Sequence, residues 1–263
     1  MGKNLSFVKY IKELSIKKYG YEHDFRAIEI FLNFQFYSYT NQVKPLLDLL
    51  NSMKNDEKLI LKKALEEFAE ESEKNPFTDI LGDFILERKS LKDKQYKGQF
   101  FTPSDVCDLI VETSGITKED VLNRMKDGSV YKILEPSVGS GRMLLSVAKK
   151  LKKEINIPFH KYLLTVGIDI DPLSVKMTSI NTTLWGIPCI IIHGDALLPI
   201  DNKTHKIYYN LPYFSLLNHI QNLKALNILK GINKKTVSKH KTVSNKPSTS
   251  KKLKAKQGKL FVF

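Results

Sequence analysis

Cysteine is scarce in this sequence: Cys107 and Cys189 are the two among 263 residues, and both lie in apolar surroundings. Two such thiols offer no metal-ligand spacing, and they exclude the disulfide-stapled scaffold of small secreted domains. Long apolar runs are lacking too. No stretch reaches the roughly 20 residues that a membrane span needs, and "MGKNLSFVKYIKEL" lacks the apolar centre of a signal peptide. A reduced cytoplasmic protein with no membrane part is expected. Acid is missing from one segment: residues 229–263 hold eleven Lys and no Asp or Glu, so eleven of the +14 net charge lie there and +3 is left for residues 1–228. Such an excess points to a polyanionic partner. What the chain has in quantity is apolar side chains, 42% of residues, which places it among globular rather than disordered proteins. Its length allows one sizeable core and a smaller satellite.

Residues 5 to about 90 read as helical. "FVKYIKELSIKKYG" puts Phe7, Ile11 and Leu14 on one face and stops at Gly20, and "EKLILKKALEEFAEESEK" repeats the period with Leu61, Leu65 and Phe68. From about residue 130 the period changes. "VYKILE", "YLLTVGID", "CIIIHGD" and "KIYYN" are short runs rich in β-branched and aromatic residues, and helical stretches separate the first three. This βαβαβ order predicts an α/β fold with a doubly wound parallel sheet, in which ligands bind at the carboxyl ends of the strands. The four runs end in Glu135, Asp169, Asp195 and Asn210, so the expectation is one shared site at four matching strand ends. After an amphipathic stretch, "LLNHIQNLKALNIL", the chain turns into a lysine-rich segment of linker composition. The resulting division is a helical region over 1–95, a sheet domain over 96–228, and a basic tail over 229–263 with an apolar end.

Several motifs sit at the predicted strand ends. "EPSVGSG" (135–141) follows the first run, and Gly139 and Gly141 allow a tight turn with close backbone approach to a ligand at a helix head. Leu144 stands where a dinucleotide fingerprint needs glycine, and a Gly-Lys-Ser/Thr sequence is absent. Glu135 would repel a pyrophosphate but suits an ammonium or sulfonium group. In "GIDID", Asp169 can accept both hydrogen bonds of a ribose diol, while Asp171 followed by Pro172 reads as a helix start. In "GDA", Asp195 can meet an adenine amino group. Upstream, "GQFFTPSDVCDLIV" (98–111) reads as a Thr-x-x-Asp helix start at Thr102 with Pro103 in the first position, and with Val106, Leu109 and Ile110 facing inward.

The ordered set GQFFTP, EPSVGSG, GIDID, GDA, NLPY over roughly residues 78–214 resembles the adenine-N6 DNA methyltransferases of the gamma arrangement, closest in style to the modification subunits of type I restriction systems. The resemblance implies an S-adenosylmethionine-dependent, Rossmann-like methyltransferase fold acting on DNA. It implies that Phe101, Thr102 and Pro103 hold the methionine end of S-adenosylmethionine, that Glu135, Ser137, Gly139 and Gly141 line it, and that Asp169 and Asp195 bind ribose and adenine. It also implies that "NLPY" is catalytic. The Asn210 side-chain oxygen and the Leu211 carbonyl would accept the two N–H bonds of an adenine amine, Pro212 would stiffen the turn, and Tyr213 would stack on a flipped base. Such direct transfer works by positioning and electrostatics, without a Cys nucleophile.

The chain departs from that pattern in two places. Leu211 replaces a proline of the usual Asn-Pro-Pro-aromatic motif, and Asn-Leu-Pro-Tyr is also typical of ribosomal-RNA adenine dimethyltransferases, so RNA is the alternative substrate. The three further strands of such folds are not recognisable after Phe214. The sheet is therefore expected to be shortened after the fourth strand, completed by a partner, or part of a cofactor-binding relative that no longer methylates; target recognition would come from a further domain or a separate specificity subunit. The terminal "QGKLF" resembles peptides that bind bacterial sliding clamps, through Gln257, Leu260 and Phe261; its alternative is a last strand packed on the sheet.

Overall fold

The computed structural model describes residues 5–21, 24–88, 102–201, 203–238 and 260–262. Five helices come first: α1 (Phe7–Tyr19), α2 (Asp24–Tyr39), α3 (Val43–Asn51), α4 (Asn55–Lys74) and α5 (Ile80–Arg88). Their apolar stripes meet as the sequence predicts. Phe7, Ile11 and Leu14 of α1 are buried, and Gly20 ends that helix in the left-handed region at φ 77°. Phe7 lies at the centre of an aromatic cluster, 5.6 Å from Phe31, 5.3 Å from Phe68 and 5.0 Å from Phe84 between ring centroids.

Two short helices, α6 (Ser104–Thr113) and α7 (Lys118–Lys126), lead to β1 (Tyr131–Glu135). There follow α8 (Arg142–Glu154), a 3-10 turn at Phe159–Lys161, β2 (Leu163–Asp169), α9 (Pro172–Leu184), β3 (Cys189–His193), β4 (Lys206–Tyr209), the long α10 (Leu211–Ser238) and β5 (Leu260–Val262). The sheet order is β4-β3-β2-β1-β5. Strands β1, β2 and β3 are parallel, with Glu135 opposite Gly167 and Asp169 opposite His193. This is the expected βαβαβ unit of an α/β Rossmann-like fold. Its core joins Ile133 and Tyr131 of β1, Leu163 of β2 and Ile191 of β3 to Leu144, Val147 and Leu151 of α8. Helix α9 links the layers: Val175 packs in this core, while Met177 and Ile180 belong to the cluster formed by α1, α2, α4 and α5.

Three expectations are corrected. First, β4 runs antiparallel to β3, with Ile190 opposite Tyr209 and His193 opposite Lys206. A parallel return needs a crossover of a dozen or more residues, usually helical. The described residues of 194–205 instead make tight turns: the Asp195 carboxylate accepts from the Leu197 N–H, and the Asp201 carboxylate accepts from the Lys203 and Thr204 N–H groups. Second, β5 lies parallel to β1, with Phe261 opposite Ile133, so the apolar terminus is a fifth strand and the sheet does not stop at the fourth. Third, α6 buries Cys107 and Val111, whereas Val106, Leu109 and Ile110 are exposed. That helix begins at Ser104 with Pro103 in the cap position, and no side chain caps it. Helix α10 runs into the lysine-rich segment as far as Ser238. Among the described residues no helix is long and apolar enough to cross a membrane, and no cluster of His, Cys, Asp and Glu is arranged to hold a metal.

Candidate active site

The carboxyl ends of β1 and β2 meet under the glycine turn. Gly139 and Gly141 have φ 56° and 88°, values in the left-handed region that side chains with a Cβ rarely adopt. The turn is fixed at both sides of Gly139: its N–H donates to the Asp169 carboxylate at 2.8 Å, and its carbonyl accepts from the Thr178 hydroxyl at 2.8 Å. Val138 sits on β2, its N–H donating to the Ile168 carbonyl at 2.9 Å. A Cβ on Gly167 would lie 2.8 Å from Val138 Cγ2, so glycine in "GID" is required by the turn that crosses over it.

Two acids face this turn. Glu135 is buried and accepts from the Ser137 N–H at 3.1 Å; Ser137 itself is exposed. Burial pushes the Glu135 carboxyl up, the Ser137 N–H opposes this, and the Asp169 charge adds to the rise. Asp169 is likewise raised by burial, against hydrogen bonds from the Asp171 and Gly139 N–H groups. Asp171 caps α9, accepting from the Leu173 N–H at 3.3 Å with Pro172 as the first helical residue, as its spacing predicts. Asp195 lies past the end of β3; its carbonyl accepts from His205 Nε2 at 2.9 Å when that nitrogen carries the proton. Thr102 and Pro103 are exposed at the head of α6, and Arg142 donates to the Thr102 carbonyl at 3.2 Å. Phe101 lies outside the described residues.

These residues fit S-adenosylmethionine on physical grounds. Both carboxyls are raised by burial, Glu135 further by the Asp169 charge and Asp169 further by the Asp171 charge; each would gain from a cation or a diol, and would repel a phosphate. The left-handed glycines bring bare backbone to the same place. Glu135, Ser137, Gly139, Gly141, Asp169 and Asp195 therefore come together at one end of the sheet, with the Thr102–Pro103 segment tied to it through Arg142.

Asn210 does not join them. Because β4 is antiparallel, its carboxyl end lies beside the start of β3, two strands away from Asp169 and three from Glu135, and roughly 13 Å along the strands from Asp169. The side chain is fully buried and fully bonded. Its Oδ1 accepts from the Cys189 N–H at 2.9 Å and the Tyr213 N–H at 3.1 Å; its Nδ2 donates to the Ile187 carbonyl at 2.8 Å and the Thr182 hydroxyl at 3.1 Å. Asn210 is thus the cap of α10, with Leu211, Pro212 and Tyr213 its first three residues. Leu211 is exposed, and Tyr213 stacks on Tyr209 at 4.7 Å between centroids.

Sequence reasoning missed four residues around the turn: Gly167, Thr178, Arg142 and Asp79. The carboxylate of Asp79, 1% exposed, accepts from Arg142 Nε at 3.0 Å and from Asn181 at 2.8 Å.

The family model for N-6 DNA Methylase matches residues 72–246. A type II methyltransferase, M.CvrRI of Paramecium bursaria Chlorella virus XZ-6E, is 30% identical over 128 residues, which are 49% of this chain and 27% of that protein. The chain thus spans about a quarter of the length of this relative. A crystal structure from Listeria monocytogenes described as a class I S-adenosylmethionine-dependent methyltransferase aligns over 74% of this chain and 54% of its own, at 14% identity and a TM-score of 0.36. With the family match covering well over half of its residues and both the glycine turn and the acid pair inside that range, the chain belongs to the N-6 DNA methylase family, whose cofactor is S-adenosylmethionine.

Proposed function

We propose that this chain is an S-adenosylmethionine-dependent methyltransferase of the adenine-N6 class whose substrate is DNA. The observation that carries this reading is the acid pair, buried Glu135 and half-buried Asp169, beneath the Gly139–Gly141 turn. The bound cofactor supplies a methyl group on a positively charged sulfur. Asp169 would take the ribose diol and Glu135 the cationic end, with Asp195 beside the adenine. Thr102 and Pro103 would close over the methionine portion. Asn210 and the Leu211 carbonyl would hold the N–H bonds of the target amine, so that its nitrogen lone pair points at the methyl, and Tyr213 would stack on the base. Those acceptors lie at the far end of β4, beside Cys189. Transfer therefore requires β4 and the first turn of α10 to leave β3 and present Asn210 at the carboxyl ends of β1 and β2. The lysines beyond residue 229 would neutralise phosphates without reading sequence, giving steeply salt-dependent binding. A separate specificity subunit would supply base readout. Capture by a sliding clamp through Gln257, Leu260 and Phe261 would require β5 to leave β1.

A second reading is a cofactor-binding, DNA-binding relative that performs no transfer. The complete burial and bonding of the Asn210 side chain favours it. One experiment separates the two. The purified chain is incubated with S-adenosylmethionine labelled in the methyl group and with unmethylated DNA or ribosomal RNA, and the product nucleosides are analysed. Labelled N6-methyladenine in DNA is the expected result. Label in RNA alone makes the RNA enzymes the nearer relatives. No label, with cofactor binding confirmed by calorimetry, overturns the catalytic reading and leaves the second.

A further inference from the structure

Among the described residues, the helical layer reaches the glycine turn through Asp79. Asp79, at the head of α5, is buried, and both oxygens of its carboxylate are engaged. Oδ1 accepts from the Gly82 N–H at 2.8 Å and from Asn181 Nδ2 at 2.8 Å. Oδ2 accepts from the Ser140 hydroxyl and from Arg142, whose Nε is at 3.0 Å and whose second terminal nitrogen is at 2.9 Å. Ser140 stands between the two left-handed glycines, so fixing it fixes the turn. Asn181 holds the same residue from its other side, donating to the Ser140 carbonyl at 2.8 Å. Arg142 extends the linkage to the Thr102 carbonyl at 3.2 Å and to Asp83 at 2.7 Å. Gly82 is part of the arrangement, because a Cβ there would fall on the Asp79 carboxylate and lie 2.8 Å from Ser140 Oγ.

We propose that Asp79 is a positioning residue of the cofactor site: through Ser140 it sets the glycine turn, and through Arg142 it sets the Thr102–Pro103 segment. The inference rests on the glycine turn being where the cofactor binds. A turn with two left-handed residues has many competing conformations, and an anchored turn is already in the binding-competent one. When only a fraction of molecules is competent, apparent affinity falls by that fraction. A hydrogen bond to a charged group corresponds to roughly tenfold or more in such an equilibrium. The helical region would then contribute to cofactor affinity without touching the cofactor.

The test is calorimetric titration of the full chain with S-adenosylhomocysteine. The variants are Ser140→Ala, Asp79→Asn and the double variant, with Ser72→Ala as a control. Ser72 is a buried hydroxyl of the same helical layer that donates to the Phe68 carbonyl at 2.8 Å, with no route to the turn. Ser140→Ala and Asp79→Asn are each expected to weaken binding about tenfold, and the double variant much less than a hundredfold, because both remove one linkage. Ser72→Ala is expected to leave affinity unchanged. Wild-type affinity in Ser140→Ala, or full additivity in the double variant, overturns the role of Asp79. If Asp79→Asn does not fold, Ser140→Ala decides alone, since it removes one hydroxyl and keeps the Cβ. Failure of the wild-type chain to bind S-adenosylhomocysteine removes the cofactor reading itself, an outcome distinct from equal binding by wild type and variants.

Discussion

Replacing Asn210 by alanine separates the structural from the catalytic account of this residue. The buried amide satisfies the Cys189 N–H and the Ile187 carbonyl as well as capping α10 at the Tyr213 N–H. Loss of a helix cap costs about 1 kcal/mol. Each buried backbone group left without a partner costs about 1–3 kcal/mol more. Allowing for partial relaxation, the sum is about 3–5 kcal/mol, a large share of the roughly 5–15 kcal/mol that holds a typical fold. With a urea slope of about 2–3 kcal/mol/M, the midpoint should fall by about 1–2 M. The sole tryptophan, Trp185, is well placed to report it, since it packs against Phe77 at 4.8 Å and lies two residues before Ile187. A solvent-facing asparagine held ready for a substrate would behave differently, shifting stability by no more than about 0.5 kcal/mol. A midpoint change under about 0.3 M would therefore refute the burial of Asn210 against β3. Asn210→Asp refines the result. It keeps the acceptor for the cap but turns a carboxylate toward the Ile187 carbonyl, so its loss of stability should be larger at neutral pH than in acid.

Four further outcomes are expected. Gly167→Ala should push Val138 off β2 and cost about 1–3 kcal/mol by overpacking, and the double change Gly167→Ala with Val138→Ala should recover much of it; thermal unfolding of the two variants beside the wild type checks this. Glu135 binds its proton more tightly in the folded chain than at its ordinary value of 4.5. The folded state therefore holds the extra proton above that value, and stability from this group falls as pH rises from about 4.5 through its raised folded value. Glu135→Gln should gain on the wild type across that window in urea titrations, and cofactor affinity of the wild type should weaken as pH drops through it. Cys189 is fully buried, and its thiol is pushed up to about 12. It should stay unmodified by a thiol reagent at pH 8 until the chain unfolds, as judged by mass spectrometry. Deleting residues 257–263 should lower the urea midpoint, because β5 pairs with Lys132, Ile133 and Leu134; an unchanged midpoint with loss of sliding-clamp binding would favour the clamp peptide instead.

Strand and helix identity was legible because it depends on local period. Runs such as "CIIIH" and "LLTVGID" are apolar and rich in β-branched residues, as buried strands are, and Gly20 supplies the left-handed residue that ends α1. Direction was not legible, because the connection sets it. The described residues of 194–205 contain no helix, and two aspartates fold them into turns, so β4 returns antiparallel. The inward face of α6 was ambiguous for a similar reason. Val106, Leu109 and Ile110 keep helical spacing, but so do Cys107 and Val111. The choice is made by long-range packing, which puts Val111 in the sheet core; the pairs Lys149 with Asp108 at 2.6 Å and Lys150 with Glu112 at 3.1 Å tie α6 to α8. Asp79 meets Ser140 across 61 residues and Asn181 across 102, so no local pattern could have announced it.

Asn-Leu-Pro-Tyr shows how one short sequence can satisfy two physical demands. A helix cap needs a side-chain oxygen that accepts an N–H three residues ahead, and a proline in the first turn costs no hydrogen bond. An adenine amine needs a fixed side-chain oxygen and a neighbouring carbonyl. Asparagine followed by a proline-containing aromatic turn meets either need, and both draw on the same atom, Asn210 Oδ1. The demands compete because that oxygen already accepts two backbone N–H bonds. A base could use it only after the cap and the bond to Cys189 are broken. The free energy needed for that step is of the same size as the loss expected in Asn210→Ala. Stability in that variant therefore measures, within one number, both how firmly β4 is held and how much a bound substrate would have to supply to move it.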